Sequence, residues 1–144
     1  MLPPGDPNNE VKASVSFDGA PFAPHVANGN NTGFSKSIYP NSDTVITIQG
    51  TIGEYGTRAN RTIEFKLVNI SSIGTFLFPA NSSSRQQVYC TYTIGQVFFS
   101  SVFELYFCEP GTLTIQVLTP TSIQGTFNSM YNRVVMNGTF KGNF

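Results

Sequence analysis

Charge is scarce in this sequence. Asp, Glu, Lys and Arg make up only 11% of its 144 residues, against roughly 25% in ordinary soluble domains, and the eight basic and eight acidic side chains cancel. No electrostatic footprint for DNA, RNA or an anionic lipid surface results, so nucleic-acid binding is not expected. Long apolar runs are missing too. "FLF" at 76–78 and "VFF" at 97–99 stop far short of the ~20 residues that a membrane-spanning helix needs. Histidine occurs once, at His25, and no Gly-x-Ser-x-Gly elbow is present, which leaves a histidine-based triad little to be built from; His25 reads as a surface histidine. Glu54, Glu64, Glu104 and Glu109 sit in no motif for paired-carboxylate hydrolysis. The turns "PGDPNN" and "PNSD" lack the ligand density of a calcium loop. The expectation is a chain with no catalytic residues, metal or cofactor.

What the sequence does have is two-residue alternation, the signature of half-buried strands. In "VKASVSF", Val11, Ala13, Val15 and Phe17 share one face, and the following "DG" is a hairpin signal because Gly19 accepts positive φ. "TVITIQGTI" sets Ile46, Ile48 and Ile52 together, and "RTIEFKLVN" does the same for Ile63, Phe65 and Leu67. "TLTIQVL" and "SIQGTF" form a hairpin through "TPT", with Leu113, Ile115 and Val117 inward; "RVVMNGTFKGNF" aligns Val134, Met136, Phe140 and Phe144. Pro21 and Pro24 limit "APFAPHVA" to an edge or irregular strand, and residues 28–43, rich in Asn, Gly and Ser, read as a long surface loop. No helical period survives over ten or more residues. The pattern predicts an all-β domain over 11–144, an antiparallel β-sandwich of about eight to ten strands, with a small lipocalin-like β-barrel as the alternative. Residues 1–10 read as a flexible tether. A chain of this length buries roughly 68% of its unfolded surface and so builds its own core.

Three features stand out within that frame. From Val88 to Phe107 apolar and aromatic groups occupy both faces, as in central strands covered on both sides or strands with a face kept for a partner. Tyr89, Tyr92 and Tyr106 are the ligand-binding candidates there, because aromatic rows stack on sugars or line apolar cavities; ordinary core is the competing reading. Cys90 and Cys108 have no metal-site spacing; they suit either a disulfide between adjacent strands in an oxidising compartment or two buried thiols. Finally, Gly-Thr followed by a large apolar residue occurs at Gly50, Gly74, Gly111, Gly125 and Gly138. The irregular spacing argues against a repeat architecture. The triplet reads as a structural device in which Gly permits a bulge or close approach, Thr faces solvent and the apolar residue faces the core.

"VSFDGAPFAP" near the start, with "GTLTIQV", "SIQGTF" and "VVMNGTFKGNF" at the end, resembles a family of small exported lipoproteins of Bacteroidetes, a domain of unknown function. The resemblance implies export, a lipidated cysteine that this sequence lacks, and a polar tether similar to "LPPGDPNNE". It also implies O-glycosylation at Asp-Ser/Thr sites, for which Asp43-Thr44-Val45 makes Thr44 the candidate. Sequons at Asn30, Asn60, Asn69, Asn81 and Asn137 would suit a eukaryotic secreted protein instead. The expected role is a non-catalytic binding module, outer membrane-anchored, periplasmic or extracellular, taking a glycan, a protein or a small apolar ligand. The alternative is a structural subunit of an extracellular assembly that self-associates through edge strands such as "NGTFKGNF".

Overall fold

The computed structural model describes residues 7–21, 24–79, 85–96, 102–131 and 133–144. Its strands are β1 (Glu10–Phe17), β2 (Ala20–Pro21), β3 (His25–Asn28), β4 (Thr32–Ile38), β5 (Thr44–Ile52), β6 (Arg61–Val68), β7 (Gly74–Phe78), β8 (Gln87–Gln96), β9 (Val102–Phe107), β10 (Gly111–Leu118), β11 (Ser122–Met130) and β12 (Val134–Asn143). They form two antiparallel sheets. The first runs β2-β1-β12-β11-β10-β7, with β3 beside β2 on the same side of β1, and the second runs β4-β5-β6-β8-β9. The two pack face to face as a β-sandwich.

The alternation written in the sequence sets the inner faces. Val11, Ala13 and Val15 of β1, Ile46 and Ile48 of β5, Ile63, Phe65 and Leu67 of β6, and Val134, Met136 and Phe140 of β12 are all buried. Phe65 lies at the centre, its ring 4.8 Å from Phe127, 6.2 Å from Phe78 and 6.3 Å from Phe140, so one aromatic cluster joins the sheets. The Asp18-Gly19 hairpin has both residues at positive φ, 51° and 83°, as a two-residue turn between twisted strands requires.

The Gly-Thr triplets are cross-strand devices. In the β11–β12 pair Gly125 faces Phe140, Thr126 faces Thr139 and Phe127 faces Gly138, so each phenylalanine ring folds over the other strand's glycine. A Cβ at Gly138 would stand 2.8 Å from the Phe127 ring and 1.9 Å from the Lys12 carbonyl, and one at Gly125 would stand 2.7 Å from the Phe140 ring. Gly111 faces Phe78 in the same way. The threonines form an outward row, Thr75 beside Thr114, Thr114 beside Thr126 and Thr126 beside Thr139, with Thr75 and Thr114 joined at 3.0 Å. Gly50 serves the contact between sheets: a Cβ there would meet Val11 at 2.6 Å.

The structure corrects several expectations. Asn9 is buried and its Oδ1 accepts the Asn143 N–H at 2.8 Å, so the domain begins before residue 11; residues 1–6 of the expected tether lie outside the described residues. Within 28–43 the expected loop contains strand β4, which shows no apolar alternation because it is an edge strand burying only Phe34. Val117 is exposed, because a bulge between Ile115 and Val117 shifts the register. Strand β9 is an edge strand rather than a central one, and its outer face is bare. The C-terminal strand β12 lies between β1 and β11, so "NGTFKGNF" is already paired on both sides and is not free to join a neighbour's sheet.

Candidate functional site

The three tyrosines do not share a surface. Tyr92 projects inward beside Ile63 and Tyr106 and is fully buried. Its hydroxyl has no hydrogen-bond partner among the described residues, and burial pushes its pKa up to about 12 against the opposing pull of the Arg61 guanidinium. Tyr106 is also inward but lies at the rim, where its hydroxyl donates to Glu104 Oε1 at 2.7 Å. Its ring meets Phe17 edge-on at 5.4 Å, and Arg133 lies 5.1 Å from the Phe17 ring and 5.2 Å from that of Tyr106. Asp18 grips Arg133 through two hydrogen bonds of 2.8 and 2.9 Å. This cluster latches β9 to the β1–β12 side of the opposite sheet. Its carboxylates are held below their usual pKa range, Glu104 chiefly by the Tyr106 hydroxyl and Asp18 by Arg133. Tyr89 alone points outward and is exposed. One ring is not the row that sugar stacking was expected to use.

Cys90 and Cys108 stand opposite each other, with the Cys108 N–H donating to the Cys90 carbonyl at 2.9 Å. The adjacency expected of a disulfide is present and the bond is not: both are free, buried thiols. Burial pushes the Cys90 thiol's pKa up, and the neighbouring Cys108 adds to the shift. His25 is buried rather than on the surface, its Nε2–H donating to the Gly50 carbonyl at 2.9 Å. Desolvation lowers its pKa to about 4.

Thr44 is half-buried at the start of β5, and its N–H donates to Asn69 Oδ1 at 3.1 Å. The preceding Asp43 accepts from Asn69 at 2.8 Å and from Arg85 at 2.9 Å. The Asp-Thr pair thus works as a clasp between loops. Of the sequons, Asn60 is buried and Asn69 belongs to this clasp, while Asn81 lies outside the described residues. Among the described residues no cluster of His, Cys, Asp and Glu is arranged to hold a metal, and no helix is long and apolar enough to cross a membrane.

A different feature offers itself as a binding surface. On the outer face of the first sheet, Leu77, Pro110, Gly111, Thr112, Asn128 and Met130 line a groove of 280 Å³. Register builds it: Leu77 sits beside Thr112 and Thr112 beside Asn128, and the Met130 N–H donates to the Pro110 carbonyl at 2.9 Å to close one end. Leu77 and Met130 are 65% and 66% exposed, and Val135, next to Met130 across the strands, extends the apolar surface. The signal was in the sequence. Leu77 falls on the face of Thr75, and Met130 on that of Gln124 and Thr126, so each is an apolar residue on the polar phase of its strand. Comparison with protein families, with curated proteins and with solved structures gave no match.

Proposed function

We propose that this chain is a non-catalytic binding module, exported and held at a bacterial surface or in the periplasm, which docks a partner protein through the groove between Leu77 and Met130. The observation that carries this is the placement of the exposed Leu77 and Met130, with Val135 beside Met130, around Thr112 and Asn128 on the outer sheet face. Isolated exposed apolar residues need no explanation, whereas a contiguous set with convergent polar groups marks an interaction surface. At 280 Å³ the groove falls just short of the roughly 300–1,000 Å³ typical of small-molecule sites. It suits one or two apolar anchor side chains of a protein, the residues that dominate interface energies. The resemblance to exported Bacteroidetes lipoproteins supports the location.

The non-catalytic reading is supported by how the chemically capable groups are used. His25 is tied to a backbone carbonyl in the core, Glu104 to Tyr106 and Arg58, and Asp43 to Asn69 and Arg85. Each is part of the scaffold.

The test is site-specific photocrosslinking in cells that make the protein. A benzophenone side chain at position 130 is expected to give a discrete crosslinked species, and the same group at Lys66, on the opposite sheet, is expected to give none. If position 130 yields no adduct in a folded, correctly localised protein, the groove is not the docking site.

A further inference from the structure

The sandwich has four lateral edges, and their chemistry differs. On one side of the first sheet the edge is broken between β2, only two residues long and ending in Pro21, and β3. On the other side β7 has five residues and opens on Gly74 at φ 146°. In the second sheet β4 carries the exposed Lys36. Short length, proline and charged side chains, lysine above all, are among the devices that keep sheet edges from pairing with other chains. Strand β9, "VFELYF", has no proline and no lysine. Its single charge, Glu104, is taken up by Tyr106 and Arg58, and among the described residues β9 pairs with β8 alone.

The register shows which groups the open edge presents. Cys108 N–H bonds to Cys90 across the β8–β9 pair, so Tyr106 and Glu104, two and four residues earlier, share that phase and bond to β8. The intervening Leu105 therefore directs its N–H and C=O away from β8, and Phe107 its N–H. Those same two residues place their side chains on the outer face, 49% and 60% exposed. Backbone groups and apolar side chains thus point to the same vacant position, as they do in strand addition.

We infer that β9 is the seam of a homodimer, in which β9 of a second copy pairs antiparallel with it about a twofold axis through Leu105. Self-complementarity selects a second copy as the occupant. In this register the exposed Leu105 meets Leu105 of the other copy at the centre of the seam. On the inner face Glu104 falls beside Tyr106 of the other copy, and the two Glu104 side chains are not directly opposed. A formal net charge of zero sets up no long-range repulsion between copies. Pairing joins the two five-stranded sheets into one continuous sheet and removes the unprotected edge from both.

The experiment is sedimentation velocity over a concentration series, with circular dichroism as the fold control. Wild type is expected to shift from 15.7 kDa to twice that mass as concentration rises. Leu105→Lys places like charges directly opposite on the axis and is expected to stay monomeric while keeping its β spectrum, because Leu105 lies outside the core. Leu105→Glu is expected to do the same, and an equimolar mixture of the two variants to recover the dimer. A wild type that stays monomeric at about 1 mM, a dimer that survives Leu105→Lys, or a mixture that fails to reassociate would each overturn the proposal. Crosslinking at position 130 is read independently, so failure of the seam leaves the groove standing and failure of the groove leaves the seam.

Discussion

The β11–β12 and β8–β9 pairs are both antiparallel and both rich in aromatic residues, yet they use them in opposite ways. In β11–β12 each phenylalanine turns inward over the partner strand's glycine, and the outer face is polar except at one end, where Met130 and Val135 stand exposed. In β8–β9 the inner face holds Tyr92, Cys90 and Tyr106, and the outer face shows Tyr89, Leu105 and Phe107 to solvent. The difference follows from position. A strand paired on both sides in the middle of a sheet needs only one apolar face, whereas an edge strand with apolar groups on both faces has chemistry left over. Residue counts alone do not separate the two uses, and neighbours do.

Substitutions can break this contrast. Phe127→Ala removes a buried ring from the Phe65 cluster and is expected to cost roughly 3–5 kcal/mol in urea denaturation. Gly138→Ala adds one carbon and no polarity, yet that carbon would stand 1.9 Å from the Lys12 carbonyl. A loss of about 3 kcal/mol is expected, the upper range for overpacking, and a neutral result would show that the glycine–phenylalanine contact tolerates repacking.

The polar groups buried near β8 should make stability depend on pH. His25 titrates at about 4 in the fold and near 6.5 when unfolded, so the unfolded chain binds more protons between those values. Stability is expected to be whole above pH ~6.5, to fall as pH drops through that window, and to gain no further loss from His25 below about 4. Asp43 and Glu104, whose pKa values are depressed by their hydrogen bonds, add losses in the same direction at lower pH. Thermal melts of wild type and His25→Gln from pH 4 to 7 check this: the variant should show the shallower slope. Tyr89→Ala gives the smallest effect, roughly 1 kcal/mol or less, because its ring lies on the solvent face. A cost near that of Phe127→Ala would mean that the β8–β9 outer face is covered in solution.

The sandwich was legible because one-sided burial imposes a period of two, and β1, β5, β6, β10, β11 and β12 carry that period openly. Of the two readings open for Val88–Phe107, a central strand covered on both sides does not hold for β9, which is an edge. Strand β4 was missed for the converse reason: an edge strand that buries only Phe34 has no alternation to display. His25 is buried against that expectation because polarity predicts exposure only on average, and one backbone carbonyl, that of Gly50, accepts from its Nε2–H in the core while Nδ1 has no partner among the described residues. The groove was present in outline as two apolar residues on the polar phase of their strands. That Leu77 and Met130 flank the same floor depends on β7 joining β10, a pairing between segments more than thirty positions apart.

The sequence by itself determined the class of fold and most of the inward set of side chains, Val117 and His25 excepted, as a consequence of local periodicity. Tertiary structure alone decided which phenylalanine covers which glycine, which strands became edges, and which exposed apolar residues stand together. Those outcomes depend on strand order and register, which arise from contacts between distant segments and leave no mark on either segment alone.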